Sequence, residues 1–340
     1  APSPTPVPTA GATQTTLPPV AQTAQPQAAS ATSGSPVAQS AAAPVVTVEP
    51  ATVPLPTAAP SVAPAPPPPG PTPEGGAAAL VFQLGPALNV LDTRQGSGVQ
   101  ISANADSRGP AAISPDGNSI LFDAAEGGEQ RHIFRFDRAA NRVEAWSRGE
   151  GDFYQPAWMP DGNQVTFVST RDGNAEIYLT DVDGGRPERL TTDPAQDEYP
   201  SWSPDGSLVI WESRRDEGWQ IWTMNQDGQR RPVEPVPGRD DRYPRISPDG
   251  TQVVFASNRD RTDDGLEIYV QSLDGGLPRR LTSFETGSAL GPQWSPDGRM
   301  IVFWSDAEGN QDIYTLRLAD GEIKRFGDSP GDERWPVWGR

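Results

Sequence analysis

The chain has 340 residues, with 39 Pro, 34 Gly, no Cys, one His and a formal net charge of −18. Without Cys there is no disulfide framework, thiol nucleophile or thiolate zinc site, and a single His rules out a His-cluster metal centre. Of the 27 basic residues only Lys324 is Lys, and the Arg residues are interleaved with acids rather than clustered. This pattern argues against a nucleic-acid partner, because phosphate binding needs concentrated positive charge.

Residues 1–75 hold 20 of the prolines and no aromatic or basic residue; their only acids are Glu49 and Glu74. A segment of this kind cannot bury a core, and closely spaced prolines favour a solvated polyproline II state. It is expected to be a disordered linker that spaces residues 76–340, the globular region, from a membrane or wall. The sequence opens at Ala1 rather than Met, so a processed protein or a fragment is expected, and any signal peptide or anchor would lie upstream of it. No apolar run approaches the ~20 residues of a membrane-spanning helix.

From residue 79 onward the chain repeats itself. Pro-Asp-Gly recurs with Asp116, Asp161, Asp205, Asp249 and Asp297, at spacings of 45, 44, 44 and 48. Each unit reads as four short strands. A Pro-x-Trp (or Pro-Arg-Ile) opens the first, and Ser-Pro-Asp-Gly makes a turn in which Pro presets φ and Gly takes the left-handed position. The second strand alternates apolar residues, as in Val165 and Phe167. The third carries Ile-Tyr (Ile177-Tyr178, Ile268-Tyr269, Ile313-Tyr314), and Arg-Leu-Thr forms the fourth. No helical period appears.

Four strands every ~44 residues mark a β-propeller blade. Before the first full repeat, Leu80–Gln83, Leu88–Asp92 and Val99–Ser102 match strands two to four. After the fifth, Trp335-Pro336-Val337-Trp338 matches strand one alone. The expected fold is therefore all-β: six four-stranded blades, the last closed by the C-terminal strand joining the N-terminal one. These repeats resemble the TolB-like propeller family, which includes the propellers of tricorn-type and prolyl-oligopeptidase-type proteases. The resemblance implies the fold of residues 79–340. TolB's amino-terminal α/β domain has no counterpart here, and a Pro-rich stretch stands in its place.

In a propeller, the loops entering the first strands gather at one mouth of the channel. Here they carry an acid-aromatic-Pro pattern that gives the candidate ligand-binding residues Asp152, Tyr154, Asp197, Tyr199, Asp241, Tyr243, Asp332 and Trp335. Carboxylates and aromatic faces around a funnel suit a sugar, a cationic peptide or a divalent ion. The competing reading is that these residues pin one blade to the next. Arg171-Asp172, Arg215-Asp216 and Arg259-Asp260 are expected at the same face as inter-blade ion pairs, and the Pro-Asp-Gly acids as turn caps. The insertion Asp260–Gly265 offers three acids to calcium but lacks the EF-hand spacing. His132 has no nucleophile elbow to serve.

The expected function is a non-catalytic, extracytoplasmic binding module, periplasmic, surface-exposed or secreted. It is expected to recognise an envelope protein, peptide or glycan at the channel mouth, as a monomer with no cofactor, no metal and no membrane span of its own. The alternatives are the sensing ectodomain of a membrane receptor or kinase, and a hydrolase or lyase working in the channel with paired carboxylates.

Overall fold

The computed structural model describes residues 79–92, 97–102, 107–126, 130–215, 218–326 and 329–339. The Pro-rich stretch 1–75 and Asp216, with the expectations placed on them, lie outside these residues. All regular structure among the described residues is β, in six four-stranded antiparallel sheets. Three strands come first: β1 (Ala79–Leu84), β2 (Ala87–Asp92) and β3 (Ser97–Ser102). Blade 1 follows as β4 (Ala112–Ile113), β5 (Ser119–Glu126), β6 (Gln130–Asp137) and β7 (Arg142–Ala145). Blade 2 is β8 (Phe153–Trp158), β9 (Gln164–Ser169), β10 (Glu176–Asp181) and β11 (Glu188–Arg189). Blade 3 is β12 (Gln196–Trp202), β13 (Leu208–Arg215), β14 (Gly218–Asn225) and β15 (Arg230–Pro232). Blade 4 is β16 (Asp241–Ile246), β17 (Gln252–Ser257), β18 (Glu267–Ser272) and β19 (Arg279–Arg280). Blade 5 is β20 (Ala289–Trp294), β21 (Met300–Ser305), β22 (Asp312–Arg317) and β23 (Ile323–Phe326), and the chain ends in β24 (Glu333–Gly339).

The sixth blade has the order β24-β1-β2-β3, so both ends of the propeller share one sheet. Leu80 pairs with Trp338 and Val81 with Val337. This closure pairs the edge of β1 that would otherwise stand open as a template for aggregation.

The core is a set of slabs between neighbouring blades. Val81 and Val90 meet Phe122 and Phe136; Leu121 and Ile133 meet Phe167 and Tyr178; Ile210 and Ile221 meet Phe255 and Tyr269; Val254 and Ile268 meet Ile301 and Phe303. The second strands differ from the expected alternation. In β21 all six residues (MIVFWS) are buried, because a blade has a neighbour on each face. A strand covered on both sides reads as a continuous apolar run.

The turns after the first strands follow the sequence expectation. Gly117, Gly162, Gly206, Gly250 and Gly298 all have φ between 70° and 76°. Asp116 Oδ1 accepts the Ser114 hydroxyl (2.6 Å) and the Asn118 N–H (3.0 Å), and those bonds hold its carboxyl down at about 2. The same bonds recur at Asp205, Asp249 and Asp297.

A plugged channel and its rim: the candidate functional site

Five of the six innermost strands carry a β-bulge just before their Pro. Gln155, Tyr199, Tyr243, Gly291 and Trp335 sit there with φ of 50°, 56°, 57°, 57° and 54°, at the points where the pairing of β8, β12, β16, β20 and β24 shifts register. A bulge re-aims its side chain, and left-handed φ on a non-Gly residue costs on the order of 1–3 kcal/mol. Four such residues therefore mark a position the surrounding structure holds firmly. Blade 1 has no bulge: Ala112 takes the register of Ala157, and Pro110 stands one residue earlier than its counterparts.

The bulges bring three aromatic rings together across the channel. Tyr199 and Tyr243 lie 4.7 Å apart, Tyr199 and Trp335 5.7 Å, and Tyr243 and Trp335 5.6 Å; Trp304 backs Trp335 at 5.6 Å. Tyr199 and Tyr243 are only 5% and 8% exposed. The Tyr199 hydroxyl donates to the Arg108 carbonyl on the far side (2.8 Å). Gly291 makes room: a Cβ there would lie 3.0 Å from Trp304 Nε1 and 3.2 Å from Trp335. The three aromatics plug the channel rather than line an open funnel.

The bulged N–H groups leave the strand ladder and need acceptors. The Tyr243 N–H donates to Glu212 Oε2 (2.7 Å), the Gln155 N–H to Asp123 Oδ1 (3.4 Å) and the Tyr199 N–H to Gln155 Oε1 (2.8 Å). Glu212 and Asp123 are fully buried. Burial pushes both carboxyls up, and Arg242 (2.6 Å from Glu212) and Arg131 (3.0 Å from Asp123) oppose it.

The acids singled out from sequence occupy two registers, not one. Asp152 and Asp332 lie four residues before the Pro, with Asp240. Each fixes the preceding blade's third strand: Asp152 accepts the Arg131 N–H (2.9 Å), Asp240 the Trp219 N–H (2.9 Å) and Asp332 the Gln311 N–H (3.2 Å). Asp197 and Asp241 lie three residues before the Pro, with Glu333, and all three are buried. Asp241 pairs with Arg259 (2.8 Å). Asp197 and Glu333 make no ion pair among the described residues; burial pushes Asp197 up to about 6, against a Ser213 bond, and Glu333 up to about 7. Tyr154 is one residue out of step with Tyr199; its hydroxyl donates to Glu198 Oε1 (3.1 Å).

The Arg-Asp loops pair largely within or beside their own blade rather than across blades. Arg259 meets Asp241 and stacks on Tyr269 at 5.3 Å, and Arg215 meets Asp193 at 2.5 Å and stacks on Trp222 at 4.1 Å. In the insertion, Arg261 holds Asp263 (2.5 Å) and Glu267 (2.8 Å), and Asp260 accepts the Tyr269 hydroxyl (2.8 Å). Among the described residues no group of three acids or His stands in a metal-holding arrangement. One further device repeats from blade to blade. An acid opening the third strand pairs with an Arg 13 residues on: Glu176 with Arg189 (2.6 Å), Glu267 with Arg280 (2.8 Å), Asp312 with Arg325 (2.8 Å). The fixed spacing of 13 was its signal.

What remains accessible at this end is a rim around the plug. Glu198, Arg242 and Arg334 are partly exposed and Asp332 is exposed. One further cation, Arg245, lies beyond the plug. Its guanidinium donates to the Pro244 carbonyl (2.8 Å), and burial pushes it down to about 10. Mixed charge over an aromatic floor can hold a polar chain by hydrogen bonds and ring contacts.

Comparison with known proteins gives the lineage. The family model described as TolB beta propeller domain matches residues 139–258 and 226–339. The Tol-Pal system protein TolB of Thioalkalivibrio sulfidiphilus (strain HL-EbGR7) is 35% identical over 68 residues, which is 20% of this chain and 16% of that protein. The match thus spans about a sixth of that relative's length. The crystal structure of TolB from Acinetobacter baumannii superposes with a TM-score of 0.67 at 20% identity, over 79% of this chain and 68% of that one. The tricorn protease superposes with a TM-score of 0.56 at 19% identity, over 74% of this chain and 26% of that one. With six closed blades and a family model spanning more than half its length, the chain belongs to the TolB β-propeller domain family.

Proposed function

We propose that this propeller is a non-catalytic, extracytoplasmic binding module that receives a protein, peptide or glycan on the rim around the plug. The observation that carries it is the cluster of Tyr199, Tyr243 and Trp335. It turns a passage into a floor, and side chains that keep contact with solvent surround it. The acids that receive the bulge amides, Asp123 and Glu212, are engaged by Arg131 and Arg242, which supports holding the floor in shape as their role. Propellers are rigid platforms whose loops carry specificity. Similarity to a Tol-Pal system protein supports an envelope protein as partner, and the Pro-rich stretch 1–75 serves as the spacer.

The test is a binding screen of glycans, peptides and envelope extracts against the full chain, followed by rim variants. Tyr199 and Tyr243 are part of the core, so Glu198→Gln and Arg334→Gln are the informative changes. Both should weaken binding about tenfold or more together. A ligand held equally well by the double variant would move the site away from this mouth.

A further inference from the structure

A second site lies between blades 1 and 2, away from the channel, and the internal repeat exposes it by comparison. In blades 2, 4 and 5 an acid opens the third strand and an Arg answers it 13 residues later. In blade 1 the acid's place is taken by His132 and the Arg's by Ala145, which sits opposite Phe134 as Arg189 sits opposite Tyr178. Where blade 4 has Asp241, blade 2 has Phe153. Just past the fourth strands of blades 2, 3 and 4 stand Leu190, Val233 and Leu281, and blade 5 has Phe326 at this point; blade 1 has Trp146, which like the first three donates its N–H to the corresponding third-strand carbonyl.

These replacements have a geometric result. With Ala145 in place of Arg, the guanidinium that pairs with the strand-opening acid in blades 2, 4 and 5 is missing, and a cleft of about 480 Å³, edged by Arg135, Arg148, Glu144 and Asp183, opens between β7 and the face of blade 2. That volume lies in the range of small-molecule sites. Its base is aromatic: Trp146 meets Phe167 edge-on at 5.9 Å, and Phe153 stacks on Phe167 at 5.8 Å. The Trp146 indole N–H is fixed by the Val182 carbonyl of blade 2 (2.8 Å), which holds the wall in place.

The same replacements strand a cation. Arg259 and Arg215 each have an acid, Asp241 and Asp193. Arg171, at the same point of its repeat, faces Phe153 instead. Its guanidinium stacks on Phe153 (4.8 Å) and Tyr178 (5.1 Å), and its Nε is buried without a hydrogen-bond partner. It makes no ion pair among the described residues and lines the cleft. An Arg held by stacking presents its N–H fork for bidentate recognition of a carboxylate.

We infer that the blade 1–blade 2 cleft binds a free carboxylate that carries an apolar group, the carboxylate on Arg171 and the apolar group against the partly exposed Trp146, which the buried rings of Phe153 and Phe167 back. A small organic acid and the C-terminus of a peptide ending in a hydrophobic residue share this chemistry.

Isothermal titration of the full chain tests it with N-acetyl-phenylalanine, its amide, and N-acetyl-Gly-Gly-Gly-Phe. The acid should bind saturably at millimolar concentration or below, and the amide about tenfold more weakly. Tighter binding of the tetrapeptide assigns the source to a peptide end, equal binding to a free acid. Arg171→Gln should reduce acid binding about tenfold to the level of the amide. Ala145→Arg, which restores the residue of blades 2, 4 and 5, should abolish binding while the melting curve stays cooperative. Equal affinity for acid and amide, no binding of any probe to the wild type, or unchanged binding by Ala145→Arg would overturn the assignment. If Arg171→Gln fails to fold, the amide and Ala145→Arg decide.

Discussion

Glu333→Gln probes the seam where the propeller closes. Glu333 is the first residue of β24, pairs in register with Leu84 of β1 and is 2% exposed. Burial raises its carboxyl from 4.5 to about 7, only partly offset by the Ile313 N–H and the Arg325 charge. Below pH 4.5 both folded and unfolded chains hold the proton, so the group has no effect on stability. Between pH 4.5 and 7 the unfolded chain releases it and the folded chain keeps it, so stability falls as pH rises; above pH 7 the full penalty is present. At about 1.4 kcal/mol per tenfold, the ceiling is about 3 kcal/mol. Water reaching the seam reduces this, and about 1–2 kcal/mol is the working expectation. Gln removes the charge at nearly constant shape. Wild type and variant should therefore unfold alike in urea at pH 4 and diverge by pH 8, the variant more stable by about 1–2 kcal/mol, or ~2–8 °C in melting temperature. Parallel stability–pH curves for the two proteins would refute the reasoning, because the difference isolates this one carboxyl from the other raised acids.

Three further outcomes follow from the plug and the seam. Arg242→Met leaves Glu212 as a buried carboxylate without its cation and should cost about 3–5 kcal/mol in chemical denaturation, largely recovered when Glu212→Gln is added; a double variant as unstable as the single one would exclude this pairing as the cause. Gly291→Ala places a Cβ 3.0 Å from Trp304 and at φ 57°, so about 1–3 kcal/mol should be lost; an unchanged unfolding midpoint would mean the bulge accepts a side chain. Removing residues 333–340 deletes β24, exposes both faces of the gap and should abolish cooperative unfolding by circular dichroism; a cooperative transition would show that five blades hold without closure.

The blade architecture was legible because its signal is local. Pro-Asp-Gly turns, apolar second strands and a lone Pro-x-Trp at the end need only a repeat of ~44 residues and the rule that propellers close. The site was legible only in part. The aromatics Tyr199, Tyr243 and Trp335 were identified, and the structure brings them to one point. Their acids read as one motif because each stands two or three residues before an aromatic residue. Counting from the Pro separates Asp152 and Asp332, which pin a neighbouring blade, from Asp197 and Asp241, which sit inside. Tyr154 misled for the same reason: the bulge in β8 is at Gln155. Asp123 and Glu212 were missed outright, since nothing local distinguishes an acid in an apolar strand that will meet an amide of the next blade. Arg171 reads in the sequence, like Arg215 and Arg259, as an ion-pair former; that Phe153 takes the place of its acid emerges only when the blades are superposed.

The shared sixth blade also sets a schedule for synthesis. Leu80 and its ladder partner Trp338 are 258 residues apart. At about 5–20 residues per second, a ribosome needs roughly 13–50 seconds to make that interval. During that time β1 has β2 on one side and an unpaired edge on the other. Pairings this distant are slow to form and leave sticky surface in the meantime. The chain's most vulnerable moment is thus fixed by topology rather than by any single residue, and a nascent-chain holdase would find its target in the same strand that later seals the ring.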